Sequence, residues 1–125
     1  SYDGAMSWTP ADAADATVTD AFNADQRRDK GFGPALGPES AQRAAEFFEE
    51  AGYTVELADS PWVLGPQEQA LQAELLDGIA KAAAQAGHDG TESWLAARRA
   101  ALGHGKARIG HRDLLAVPPE RRAHG

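Results

Sequence analysis

The spacing of hydrophobic residues along the chain switches between a helical and a strand period. Ala14, Val18, Ala21 and Phe22 fall on one face at helical spacing. Thr9-Pro10-Ala11-Asp12 has the character of a helix start: a capping hydroxyl, proline at the first position and an acid in the first turn. The pattern predicts a helix from there to about Asp29 or Lys30, stopped at Gly31. Pro38-Glu39-Ser40 opens a second helix, with Ala41, Ala44, Ala45 and Phe48 on its apolar face and Gly52 as its end cap. Tyr53, Val55 and Leu57 alternate with Thr54 and Glu56, the period of a strand. Pro61 and Gly65-Pro66 bracket a short apolar stretch, Trp62-Val63-Leu64. A long helix follows from Gln67 to about Ala86, with Leu71, Leu75, Ile79 and Ala83 in one stripe, and a shorter one from about Thr91 to Leu102 carries Trp94, Leu95 and Ala101. Ala107 to Val117 reads as a last strand interrupted by Gly110-His111-Arg112-Asp113, and Pro118-Pro119 ends it.

The predicted order is helix, helix, strand, helix, helix, strand. Two strands alone make a marginal sheet. The pattern is therefore that of the end of an α/β domain, with Tyr2-Asp3-Gly4 as the C-terminal tip of a preceding strand, where open α/β sheets place ligands. Residues 1–118 form this unit and 119–125 a polar tail.

Composition narrows the partners. The chain has 125 residues, the size of one domain, and 42% of them are apolar, many being alanines that bury little area each. A net charge of -7 disfavours nucleic acid or an anionic membrane as partner. The absence of cysteine excludes disulfides, thiolate metal sites and thiol nucleophiles. No apolar run reaches the roughly 20 residues of a membrane helix, and no signal peptide is present, so a cytoplasmic location is expected.

Candidate chemistry concentrates in Gln26-Arg27-Arg28-Asp29-Lys30-Gly31-Phe32-Gly33-Pro34-Ala35-Leu36-Gly37-Pro38. Glycine and proline fix the backbone path and hold polar side chains at set positions. As a substrate clamp, Arg27 or Lys30 holds a carboxylate or phosphate and Gln26 adds hydrogen bonds; as ordinary structure, the same cations favour the C-terminal end of the helix dipole. Arg28 reads as surface. Asn23, Gln26, Arg27 and Lys30 share a helix face and would line a cleft above Tyr2 and Asp3. Tyr2 and Asp3 would position a nucleophile or act as a base, with Asp3 alternatively a turn residue beside Gly4. Trp8 and Phe32 offer planar faces for stacking, or close a core edge. His111 is a candidate base or a structural histidine. Trp62, Trp94 and the leucine stripes read as core, and Glu46, Glu49 and Glu50 as a solvated face. The four histidines are scattered without ligand spacing, so no metal site is expected. No P-loop, Gly-x-Ser-x-Gly or His-Glu-x-x-His motif occurs.

Tyr2-Asp3-Gly4, Phe22-Asn23, Gln26-Arg27, the 29–38 run, Gly52-Tyr53, Ser60 with Trp62-Val63-Leu64-Gly65, and Gly110-His111 with Asp113-Leu114-Leu115-Ala116 together, in this order and spacing, resemble the C-terminal half of a bacterial class I S-adenosylmethionine-dependent methyltransferase. The resemblance implies the C-terminal portion of a Rossmann-like seven-stranded sheet with a final antiparallel strand. Ser1–Gly4 would end the fifth strand, Tyr53–Leu57 would be the sixth, and Ala107–Val117 the seventh, inserted between them. It also implies S-adenosylmethionine as cofactor of a longer parent; small molecules, protein side chains and nucleic acids are all methylated on this fold, and a small-molecule acceptor is expected here. Asp3 or His111 would be the base if the acceptor carries a proton. The family holds its cofactor on a Gly-rich turn between a strand and a helix, and no such turn occurs here. The cofactor is therefore not expected to bind tightly to this chain alone. The missing half would be the N-terminal half of the same domain or a second copy. A non-enzymatic interaction module, or a swapped oligomer that completes its sheet with a partner chain, is the rival reading.

Overall fold

The computed structural model describes residues 2–28 and 40–120. The glycine-proline run 31–38, with Lys30 and Phe32, lies outside them. Four strands and four helices are described: β1 (Tyr2–Thr9), α1 (Asp15–Arg27), α2 (Ser40–Glu50), β2 (Thr54–Asp59), β3 (Trp62–Leu64), α3 (Gln69–Gln85), α4 (Thr91–Ala100) and β4 (Lys106–Val117). A 3-10 turn, Pro66–Glu68, leads into α3.

Every strand pairing runs through β4. It lies between β1 and β2, antiparallel to both, and β3 also pairs with it. Residues 107–109 of β4 face β3 on one edge, and residues 112–117 face β2. The register continues without a shift from Asp59↔Arg112 to Trp62↔Ile109, so β2 and β3 act as one strand broken at Ser60-Pro61. Ser60 keeps a rung, its N–H donating to the His111 carbonyl at 2.7 Å. Proline has no N–H to continue the ladder, which accounts for the break.

This is an α/β fold, and its last strand is antiparallel to both neighbours. The described sheet has four strands, not seven. Several local expectations are corrected. β1 is a full strand to Thr9, not a tip ending at Gly4. Because Thr9 and Pro10 finish that strand, α1 starts later, at Asp15. Asp12 and Asp15 supply the start: Ala14 N–H donates to Asp12 Oδ1 and Asp12 N–H to Asp15 Oδ2, a reciprocal arrangement like a capping box. Trp62-Val63-Leu64 is a strand. β4 passes through Gly110-His111-Arg112-Asp113 without interruption.

The main core lies on the face of the sheet that carries Trp8, Leu64 and Ala107. Val18 of α1, Leu76, Ile79 and Ala83 of α3, and Trp94 of α4 close over it. Burying side chains such as Leu76 and Ile79 contributes about 1.5–3 kcal/mol each. Trp8 and Trp94 meet edge to face, 5.2 Å between centroids. Ile79 and Ala83 of the expected α3 stripe are buried and Leu75 packs against the core, while Leu71 is exposed and Gln72 and Leu76 are buried as well. Gln72 survives burial because its amide N–H groups reach the carbonyls of Gly65 at 2.7 Å, Gly105 at 3.2 Å and Leu64 at 3.3 Å. Those contacts tie α3 to the end of β3 and the start of β4.

Toward its C-terminal end β4 turns its covered side the other way. Leu114 and Ala116 are half-buried while Leu115 and Val117 are exposed. Side chains alternate along a strand, so α2, which packs on β2 and β4 there, covers the face opposite α1 and α3. Ala41 and Ala45 of α2 are buried, and Phe48 meets Tyr53 at 5.1 Å.

Candidate functional site

The site begins with an irregularity in β1. Tyr2 pairs with His111 and Met6 with Ile109, so Asp3-Gly4-Ala5 stand opposite the single residue Gly110. Such a bulge needs a backbone conformation that suits glycine, and Gly4 has φ 94°. Asp3 fastens the bulge by accepting the Ala5 N–H at 2.9 Å, and its carboxylate lies against Gly110. Asn23 of α1 braces it from the other side. Its Nδ2 donates to the Gly4 carbonyl at 2.9 Å, and its Oδ1 accepts the Tyr2 hydroxyl at 2.7 Å. Each such bond contributes about 0.5–1.5 kcal/mol net, so the bulge and α1 are held as one piece.

The bulge sets Tyr2 beside His111 on the same face of the sheet as Met6 and Ile109. A cavity of about 330 Å³ opens there. Its floor is Met6 and Ile109, its walls are Phe22 and Gln26 of α1 with Leu75 and Ile79 of α3, and Tyr2, Trp62 and His111 complete it. Tyr2 and Phe22 meet edge to face at 5.6 Å. The Trp62 indole stacks on the His111 ring, 5.4 Å between centroids and 15° between planes. His111 is oriented through Nδ1, which lies 3.1 Å from Ser60 Oγ and 3.4 Å from Asp113 Oδ1. Both partners sit on the same nitrogen, so Ser60, His111 and Asp113 do not form a nucleophile–base–acid relay.

Burial pushes the Tyr2 phenol up to about 12, and the neighbouring Asp3 carboxylate adds to the rise; the Asn23 hydrogen bond and Arg27 oppose it. Tyr2 is thus a neutral hydroxyl at ordinary pH, donating to Asn23.

Of the residues expected at a site, Tyr2, Gln26 and His111 come together in this cavity. Asn23 stands behind it as a brace. Asp3 is committed to the bulge, in keeping with the turn role. Trp8 is a correction: it is 6% exposed, packed on Trp94 with the Arg98 guanidinium 5.9 Å above its ring, and offers no face to a substrate. Arg27 is another: it lines a separate recess with Ala24, Asp25, Arg28, Gln85 and Ala86 and does not share the cavity of Gln26. Arg28 is exposed and pairs with Asp25 at 3.2 Å. Lys30 and Phe32 fall outside the described residues. Trp62 corrects the core reading in the other direction, being 56% exposed. The alternation Ser60, Trp62, Leu64 carried a signal for it, since it places Trp62 on the face of His111 and Ile109.

Among the described residues no group of three or more His, Asp or Glu is placed to hold a metal ion, and no helix is long and apolar enough to cross a membrane. Neither a scan against protein-family models nor searches of curated proteins and of solved structures gave a match for this chain.

Proposed function

We propose that this chain is the substrate-side, C-terminal part of a S-adenosylmethionine-dependent methyltransferase, and that the cavity walled by Tyr2, Gln26, Trp62 and His111 receives a small-molecule methyl acceptor. The observation that carries the reading is the strand order. The last strand lies between β1 and β2 and antiparallel to both, the position that the resemblance assigns to the final strand of that fold. The outer edge of β1 pairs with no strand among the described residues. The remaining strands of a seven-stranded sheet would add there.

The described residues do not fit the methyl donor. The β1-to-α1 connection, Pro10–Ala14, contains no glycine to let backbone approach a cofactor. The turn after β3 has one glycine, Gly65, followed by proline, and the Gln67 side chain already fills its open side at 2.6 Å. The donor would bind to the other half of the domain. What this chain contributes is placement: a largely apolar, partly open cavity with an oriented imidazole at its wall. His111, already in the lining and oriented through Nδ1, is better placed than Asp3 to accept a proton from an acceptor.

The open β1 edge also favours a second reading, an interaction module that takes a strand from a partner or a second copy. The deciding experiment measures S-adenosylmethionine binding and methyl transfer by the 125 residues alone and by the protein as its native source makes it. We expect neither from the isolated chain and both from a longer native protein. Turnover by the 125 residues alone refutes the division of labour. A native protein that never binds the donor refutes the methyltransferase reading and leaves the module.

A further inference from the structure

We infer that the cavity selects a planar, uncharged aromatic molecule of one or two rings, held against the Trp62–His111 stack. The inference specifies the acceptor class for the site proposed above and rests on that site, but its test needs no methyl donor.

Size and charge limit the occupant first. A volume of about 330 Å³ lies near the lower end of ligand cavities, which span about 300–1,000 Å³. A polypeptide segment or a nucleotide would not be enclosed. Among the described residues, none that lines the cavity is Asp, Glu, Lys or Arg. A charged group brought against these residues would lose hydration, and the charges that reach Tyr2, those of Asp3 and Arg27, are opposite in sign, so neither an anionic nor a cationic ligand is favoured. The polar contributions are the Tyr2 hydroxyl, the Gln26 amide and the His111 imidazole, which suit one or two neutral hydroxyl or ring-heteroatom substituents.

Flatness is the second limit. Trp62 keeps more than half of its surface open, yet its ring is not loose: β3 is locked in register on β4, and the indole lies nearly parallel to an imidazole that Ser60 orients. Leaving so large an apolar ring exposed forgoes the stabilisation of burial, which a ligand covering it would recover. Aromatic pairs gain beyond the area they cover, and the cavity holds a second aromatic pair in Tyr2 and Phe22. An aliphatic ring of equal size would fill the space without that gain.

The test is calorimetric titration of the 125-residue chain with three probes: 2-naphthol, its saturated counterpart decahydro-2-naphthol, and 2-naphthalenesulfonate. We expect saturable one-to-one binding of 2-naphthol, with decahydro-2-naphthol weaker by about two- to tenfold and the sulfonate weaker still. Trp62→Leu should still unfold in one cooperative urea transition and should abolish the preference for naphthol over its saturated counterpart; Trp62→Phe should retain part of it. Equal or tighter binding of decahydro-2-naphthol, a preference for the sulfonate, an unchanged preference in Trp62→Leu, or no saturable binding of 2-naphthol each overturns the inference. Failure here leaves the methyltransferase reading intact. Success here with a native protein that does not bind S-adenosylmethionine refutes that reading alone.

Discussion

Gly110→Ala is the sharpest perturbation of the bulge that shapes the cavity. An ideal Cβ on Gly110 would sit 2.6 Å from Asp3 Cγ and 2.7 Å from Asp3 Oδ2, with Oδ1 closer still. Gly110 is not among the residues with positive φ. The conflict is therefore with the Asp3 side chain and not with the backbone conformation. The alanine must push the Asp3 carboxylate off its bond to Ala5 N–H, an exposed interaction at 2.9 Å that water partly replaces. Losing that bond costs about 1 kcal/mol, and an off-rotamer Asp3 adds about 0.5–1.5 kcal/mol. The substitution should thus destabilise the fold by about 1.5–2.5 kcal/mol, seen as a lower urea midpoint at unchanged slope. A double-mutant cycle isolates the cause. In an Asp3→Gly background there is no carboxylate to displace, so Gly110→Ala should cost less by about 1 kcal/mol or more. An equal cost in both backgrounds would refute the collision and the account of the bulge built on it.

Two further outcomes follow from the packing. The Tyr2 phenol, raised to about 12, should titrate well above an ordinary tyrosine when followed by ultraviolet absorbance at 295 nm. Because its folded value exceeds the ordinary unfolded value near 10, its contribution to stability is complete below about pH 10 and is lost as pH rises through about 12; a Tyr2→Phe protein that shows the same alkaline loss would contradict this. Trp94→Phe should cost more than Trp8→Phe by about 1.5–3 kcal/mol, since Trp94 Nε1 donates to Asp15 Oδ1 at 2.8 Å while buried Trp8 Nε1 has no hydrogen-bond partner among the described residues, and equal urea midpoints for the two variants would show that the Asp15 bond contributes nothing.

The parts of the fold legible in the sequence are those governed by local period. Thr91 to Leu102 forms α4 with Trp94 inward, and the alternation at Val55 and Leu57 is β2. Val18, Ala21 and Phe22 do face the core. What periodicity missed was decided by partners distant in sequence. Gln72 reads as polar surface until the carbonyls of Gly65 and Gly105 are brought to it; it is buried at the start of α3, where Leu71 of the expected stripe is exposed. The Thr9-Pro10 start looked sound locally, but pairing of Trp8 with Ala107 and Thr9 with Lys106 claims those residues for β1. At the site, Tyr2, Gln26 and His111 were legible because each stands beside a break in pattern. Trp62 was not, because an apolar triplet between prolines resembles core, whereas among the described residues Trp62 keeps more than half of its surface open. Arg27 lies one residue from Gln26, and one residue along a helix is about 100° of rotation, enough to send it to another recess.

Because β1, β2 and β3 each pair with β4, the order of synthesis constrains how this domain acquires its sheet. While these residues are synthesised, helices and the α1–α3 contact can form, but no described strand has a partner among the described residues until residues 106–117 appear. Joining Tyr2 to His111 then closes a loop of nearly the whole described chain, an event slow compared with helix formation. Until then three strands with open edges wait together, the condition under which nascent chains pair wrongly with one another. A ribosome pausing just before Lys106 would prolong that exposure, and one pausing after Val117 has cleared the exit tunnel would not.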